Sequence, residues 1–373
     1  MICPDKMSEL AMLIPFLLYA EIHYRIGGIF SRYYRRQPEI VFDLPYRIRQ
    51  GRSLPLALMI KDAHRFPVRL ISIELTMIDQ DRRLHRHQFK IEETVQESFW
   101  HRIIQIPMNA AQAGIMRVNA VLEYIVEGRR HQCVNDNYAL TSHKPFTVLI
   151  DDHPWPRRSG WFFGETHCHT VYSNDQVEFG APLQMNQQMA EALELDFIAA
   201  TDHSYDLDDC VDDYLKNDPA LPKWQSLWET IAALNRENHR VLIIPGEELS
   251  VGNAQGKNVH LLLYNNRHFW PGYGDSGEKW FQTQPQHGLQ QVIEELEPTA
   301  LAIAAHPDHE PPFLQRWLLR RGKWAAKDFQ IKSLNGCQFW NGDKSQFLSS
   351  GVRMWSELLL RGLKATLFAG NDA

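Results

Sequence analysis

Five short apolar runs in this chain each lead into a histidine or a carboxylate. Trp161-Phe162-Phe163 runs toward His167-Cys168-His169, and Phe197-Ile198-Ala199-Ala200 runs into Thr201-Asp202-His203. Val241-Leu242-Ile243-Ile244 leads to Glu247-Glu248, Leu301-Ala302-Ile303-Ala304-Ala305 to His306, and Thr366-Leu367-Phe368-Ala369 to Asp372. Buried parallel strands read as continuous apolar runs. In β/α barrels the side chains at their carboxyl ends converge on one face. Imidazole or carboxylate at one strand end after another is what a polynuclear metal site requires.

Composition narrows the class. With 373 residues there is room for two domains. At 44% hydrophobic and 23% charged residues the chain reads as an ordinary soluble globular protein. A net charge of −6 argues against a protein whose main task is gripping a nucleic-acid backbone. Cys3, Cys133, Cys168, Cys210 and Cys337 show no paired spacing, so a disulfide framework is not expected and a reducing, cytoplasmic setting is. Leu10–Ala20 is apolar but shorter than the roughly 20 residues that span a bilayer. It also lacks the flanks of a signal peptide. It is expected to pack as a helix on the body, with a peripheral membrane or oligomer contact, or a targeting segment, as the alternatives.

Three regions follow: an N-terminal apolar helical segment, 1–36; a β-rich, sandwich-like domain, 37–153; and a β/α domain, 154–373. In the second, Ile71, Ile73, Leu75 and Met77 alternate with polar neighbours, as do Met116, Val118, Ala120, Leu122, Tyr124 and Val126. That period marks half-buried antiparallel strands. Leu54–Ile60, Gln88–Val95, Phe99–Ile106 and Phe146–Ile150 are further strands, and the set suggests a small sandwich. The stretch from Asp151 to Arg158 reads as a linker. Beyond it the apolar runs alternate with helical patterns over Leu183–Leu195, Trp224–Asn238, Gly288–Leu296 and Val352–Gly362, the signature of βα units around a parallel sheet.

In an extended segment His167 and His169 lie on one side and can serve one metal ion, while Cys168 points the other way. Asp202 is placed to orient a neighbouring imidazole. His167-Cys168-His169-Thr170-Val171-Tyr172-Ser173-Asn174-Asp175, Thr201-Asp202-His203, Pro245-Gly246-Glu247-Glu248, His260, Ala305-His306-Pro307 and Gly370-Asn371-Asp372-Ala373 together resemble the PHP (polymerase and histidinol phosphatase) family, and within it the CehA/McbA-like metallohydrolases. The resemblance covers about Gly160 to Ala373. It implies a distorted (β/α)7 barrel with two or three divalent ions, Zn, Mn or Fe, at its carboxyl face.

The same resemblance implies roles residue by residue. His167, His169, Glu248 and Asp372 match the ligands of one metal; a bridging Glu248 with His260 and His306 matches a second; His203 with Asp175 matches part of a third. These residues would form the catalytic centre. Glu248 is preferred to Glu247 because the family pattern has one residue between Gly and the ligand Glu. Two departures stand out: Asn174 sits where many members have Asp, and the sequence stops at Asp372-Ala373 where a His would follow, so the chain is expected to be truncated.

Paired divalent ions lower the pKa of bound water and supply hydroxide at neutral pH. The expected activity is therefore metal-dependent hydrolysis of a small, anionic phosphoester. Hydrolysis of a carbamate, amide or carboxylic ester and a non-catalytic metal-stabilised binding module are the alternatives. No specific nucleic-acid partner and no transmembrane span are expected, and the oligomeric state is not legible. Other groups read blandly. Asp206, Asp208, Asp209, Asp212 and Asp213 suggest an exposed acidic loop. The basic stretch Arg316, Arg320, Arg321, Lys323 and Lys327 suggests a solvated helix, with anion attraction as its alternative. Asn265–His287 reads as a substrate-selecting loop, and His309 as an ordinary polar residue, with reach to the substrate as its alternative.

Overall fold

A computed structural model of the protein describes residues 36–137, 143–174, 180–274, 283–342 and 345–372. Leu10–Ala20, Cys3 and Asp175 lie outside the described residues. The chain divides into two compact units. One holds the described residues up to Phe163 together with Met185–Asp196; the other holds Gly164–Gln184 and everything from Phe197 onward.

The first unit is built from β1 (Glu39–Asp43), β2 (Arg47–Arg49), β3 (Leu54–Lys61), β4 (Val68–Ile78), β5 (Leu84–Val95), β6 (Phe99–Ile106), β7 (Gly114–Val126), β8 (Arg129–Val134) and β9 (Phe146–Asp151). They form a three-stranded sheet, β1-β3-β6, and a larger sheet in the order β2-β9-β7-β4-β5, with β8 also paired to β7. Both sheets feed one buried cluster that includes Ile40, Leu56, Leu58, Leu75, Val118, Leu122 and Val148. The alternation in β7 is the reason: Met116, Val118, Ala120, Leu122 and Tyr124 are buried, and their neighbours are not. β4 departs from the expected phase. A bulge between Leu70 and Ser72 shifts its register, so Val68 and Leu70, then Ile73, Leu75 and Met77, face inward, and Ile71 does not. The stretch after β9 is tied down rather than free. Trp155 Nε1 donates to Leu193 O at 2.8 Å, and the Arg157 guanidinium meets Asp196 at 2.6 Å.

The second unit carries the seven-stranded sheet β10 (Gly164–Cys168), β11 (Phe197–Ala200), β14 (Leu242–Gly252), β15 (Asn258–Tyr264), β16 (Leu301–Ala304), β17 (Gly336–Trp340) and β18 (Thr366–Ala369), neighbours in that order, with a small hairpin of β12 (Asp209–Cys210) and β13 (Asp213–Asn217). Its helices are α1 (Leu183–Ala192, mostly in the first unit), α2 (Ser204–Leu207), α3 (Pro222–Glu237), α4 (Leu289–Glu294), α5 (Phe313–Leu318) and α6 (Ser345–Leu360). The sheet is nearly closed. Asp372 N donates to His167 O at 3.0 Å, and Thr166 Oγ1 donates to Ala369 O at 2.7 Å, drawing the two edge strands together.

Two expectations need correction. The pairing is not parallel throughout: β15 runs antiparallel to both β14 and β16, because a five-residue turn leaves no crossover helix between β14 and β15. In that turn Asn253 Oδ1 accepts the amides of Gln255 and Lys257, and Gly256 supplies the positive φ. The first barrel strand is also not the apolar run. Trp161 and Phe162 are 67% and 74% exposed, and β10 begins only at Gly164. Among the described residues no helix is long and apolar enough to cross a membrane.

Candidate metal centre

The ligand residues reach one place because β11 and β14 stay paired past the end of β11. Glu248 N donates to Asp202 O at 2.9 Å, and His203 and Glu248 form an isolated parallel bridge. Successive residues of β14 then face opposite ways. Glu248 turns to the centre, while Glu247 turns away and accepts Ser204 Oγ at 3.0 Å.

Five imidazoles surround the Glu248 carboxylate. Its Oε2 lies 3.3 Å from His167 Nε2, 3.3 Å from His169 Nε2 and 3.1 Å from His203 Nδ1. Its Oε1 lies 2.7 Å from His260 Nδ1 and 3.0 Å from His306 Nε2. Asp372 Oδ1 is 3.2 Å from both His167 Nε2 and His169 Nε2. Around Glu248 two sets of donor atoms are tight enough to hold an ion: His167, Glu248, His306 and Asp372, and His169, His203 and Glu248; a third such group, Asp151, Asp152 and His153, is largely exposed and belongs to the first unit. This partition differs from the one the resemblance implies. His306 joins His167 and Asp372, His203 joins His169 instead of standing with Asp175, and His260 belongs to neither set.

The donor chemistry fits a divalent ion. His167 Nε2 and Glu248 Oε2 are buried, have no well-formed hydrogen bond, and face each other across 3.3 Å. Buried polar atoms in such a state call for a cation between them. Burial opposes charge on Glu248, yet the surrounding imidazoles of His260, His167 and His203 outweigh it and hold the carboxyl well below its usual range. For Asp372 burial again opposes, and His167 with the hydrogen bond from His169 wins. His203 moves the other way: burial, then His169, pushes it well below the ordinary imidazole value, so it stays neutral and its lone pairs remain available.

Supporting contacts fix the rings. Asp202 does not orient an imidazole directly. Its carboxylate accepts Thr170 N at 2.7 Å, Thr170 Oγ1 at 2.8 Å and Ser173 N at 3.0 Å. It thus shapes the turn after His169, from which Ser173 Oγ reaches His169 Nδ1 at 3.2 Å. Two groups were missed in the sequence. Gln338 on β17 faces His167 Nδ1 at 3.0 Å, and Glu165 Oε1 accepts the amides of His167 and Asn371, both at 2.9 Å. The polar residue inside the short run Cys337-Gln338-Phe339-Trp340 was the available signal for Gln338. His306 and Asp372 both have positive φ, +24° and +57°. Such backbone is strained by about 1–3 kcal/mol and clusters at functional sites.

The remaining groups sort as follows. Cys168 donates to His169 O, and burial pushes its thiol up to about 12. Asp206 and Asp209 are buried and not part of an exposed loop; Lys223 Nζ lies 3.4 Å from Asp209 Oδ2. Of the 265–287 segment, Trp270 is a core residue, packed edge-on to His268 and His287. His309 stacks edge-on against His306 at 5.9 Å, and burial, His306 and Arg321 push it down to about 4. The basic stretch is helical only through Arg316. Arg321 leaves solvent and turns toward His260.

No family model and no curated protein matches this chain. Among solved structures it overlaps Spo0M, a sporulation control protein from Bacillus subtilis, at 15% identity and a TM-score of 0.21 over 32% of this chain and 51% of that one. It also overlaps a calcium-binding mutant of β-glucuronidase 2 from Bacteroides uniformis, at 11% identity and a TM-score of 0.21, over 88% of this chain and 35% of that one. Overlaps this small carry no argument about fold or function.

Proposed function

We propose that this chain is a metal-dependent hydrolase of the PHP type, its nearly closed sheet a distorted (β/α)7 barrel, acting on a small phosphoester. The observation that carries the reading is the buried Glu248 carboxylate, approached by five imidazoles and backed by Asp372. A purely structural core has no use for so many lone pairs aimed at one point. Bound divalent ions, Zn, Mn or Fe, would supply hydroxide at neutral pH and stabilise charge on the ester.

The chain's own residues do the rest. Glu248 belongs to both donor sets, so it fixes their spacing. Gln338 and Ser173 lock the rings of His167 and His169 from behind. His309 stands beside His306 as a neutral imidazole at pH 7, a form that can accept a hydrogen bond or a proton but has no acidic proton to give.

The test is metal analysis of the full chain followed by a turnover screen with phosphoester, carboxyl-ester and amide panels. At least one bound divalent ion and metal-dependent turnover of a phosphoester are expected. Turnover of carboxyl esters or amides alone would move the protein to carboxyl chemistry. Metal without turnover on any panel would make it a binding module, and no metal at all would end the reading.

A further inference from the structure

We infer that Arg321 is a substrate-recognition residue that binds an oxyanion of the substrate beside the metal centre and makes the protein selective for anionic over neutral substrates. This rests on the hydrolase reading above and goes further, to the charge of the substrate and the residue that reads it.

The position is built, not incidental. Residues 320–322 run along the edge of β15: Asn258 N donates to Arg320 O at 3.0 Å, and Gly322 N donates to Asn258 O at 2.8 Å. The Asn258 side chain, itself buried, donates to Leu319 O at 2.8 Å and pins the approach to this pairing. Two residues on, Trp324 Nε1 donates to His260 O at 3.2 Å. The segment therefore runs beside His260, and the half-buried Arg321 side chain turns toward it.

Its guanidinium Nη2 lies 3.0 Å from His260 Nε2, while His260 Nδ1 is the atom 2.7 Å from Glu248. Arg321 thus stands one imidazole away from the bridging carboxylate. A cavity opens at this point, lined by His260, His306, His309, Gln315, Arg321 and Lys323. Among the described residues no carboxylate lines it. Lys323 is paired with Asp308 at 2.9 Å, outside that lining.

Charge decides what such a cavity takes. Ions in both donor sets would bring more positive charge than Glu248 and Asp372 neutralise, and Arg321 adds to the excess. A guanidinium offers several N–H donors in a planar fork that matches the oxygens of a phosphate or a carboxylate. The guanidinium already meets His260 Nε2 at 3.0 Å and Gln315 Oε1 at 3.5 Å, and an anionic oxygen beside it gains a charge-assisted contact that a neutral carbamate, amide or ester does not.

The experiment uses the full-length, metal-loaded protein with Arg321→Gln and Arg321→Lys. Inorganic phosphate and acetate are titrated calorimetrically in parallel, separating a phosphate source from a carboxylate source, and bound metal is counted in each sample. The wild type should bind at least one of the two anions. Arg321→Gln should weaken that binding by about tenfold or more, with Arg321→Lys in between and metal content unchanged. Its preference in kcat/KM for an anionic over a neutral ester should fall relative to wild type. Phosphate and acetate binding within twofold of wild type in the Gln variant overturns the inference and leaves the hydrolase reading standing. Loss of metal from Arg321→Gln also overturns it, since Arg321 would then serve His260 and not an anion. Failure of the wild type to take up metal overturns both.

Discussion

Gln338 Oε1 accepts from His167 Nδ1 at 3.0 Å and so dictates which nitrogen of His167 carries the proton. The amide orientation is settled by its other contacts. Oε1 also accepts His306 N–H at 3.1 Å, while Nε2 donates to Asn341 Oδ1 at 2.7 Å and Gly370 O at 3.2 Å. Asn341 in turn donates to Asp372 Oδ2 at 2.8 Å. One glutamine thereby touches, directly or through Asn341, three of the four residues in the first donor set. With Nδ1 held by Gln338, Nε2 is the nitrogen left to face Glu248 and Asp372.

Gln338→Leu should therefore weaken metal binding by about 10- to 100-fold, the usual effect of losing a partner behind a ligand. Gln338→Glu keeps the acceptor for His167 and should recover much of it. A cobalt titration followed by visible absorption reads both. Equal affinities for wild type and Gln338→Leu would remove Gln338 from this role.

Glu247 and Glu248 are neighbours with opposite electrostatics. Burial pushes Glu247 up to about 8 from its ordinary 4.5, so at neutral pH it is largely a neutral acid. A folded-state pKa above the unfolded one means the folded chain keeps a proton that the unfolded chain releases. Glu247 thus favours the fold fully below about pH 4.5, and that contribution declines until about pH 8, where it levels off. Urea midpoints in chelator should show Glu247→Gln gaining on the wild type as pH rises through this window. A difference that does not change with pH would mean Glu247 is ionised in the fold.

Gly370 should tolerate no side chain. A Cβ there would lie 2.5 Å from His167 Cβ and 2.9 Å from Glu165 Oε1. Gly370→Ala must push β10 away from the Asp372 segment, so a loss of about 1–3 kcal/mol is expected from overpacking. Thermal unfolding measures it, and a melting temperature equal to wild type would show that the segment moves freely.

What the sequence made legible were the elements whose burial and chemistry coincide. Phe197–Ala200 and Thr366–Ala369 are strands with the bounds their apolar runs suggest, because they are short and end in polar residues. In Val68–Ile78 the alternation placed Ile73, Leu75 and Met77 on the buried face but Ile71 wrongly with them, since a bulge leaves no trace in simple alternation. Trp161-Phe162-Phe163 looked like a strand only because aromatic residues were assumed buried. The reversal of β15 was hidden for another reason: an apolar strand has no visible direction. Of the centre, histidines and Glu248 announced themselves by residue type. Gln338 and Glu165 did not, because their contacts are long-range and local pattern does not encode them, while Arg321 was visible only as one charge in a basic stretch.

The two donor sets share Glu248 and otherwise differ, which makes metal counting a test of the whole arrangement. His306→Asn removes a donor from the set with His167 and Asp372 and removes none from the other, although it also loses the contact to the shared Glu248. His203→Asn does the reverse. Each variant should lose about one equivalent of metal and keep the other, while Glu248→Gln, which cannot bridge as a carboxylate, should lose both. Glu247→Gln should lose none, since that side chain faces Ser204. Metal that binds the fold also stabilises it by mass action, so melting temperatures should fall in the order wild type, single-set variants, Glu248→Gln. Added chelator should bring the wild type down toward the single-set variants. If His203→Asn releases as much metal as Glu248→Gln, the two sets are one site, and His203 binds the same ion as His167 and Asp372.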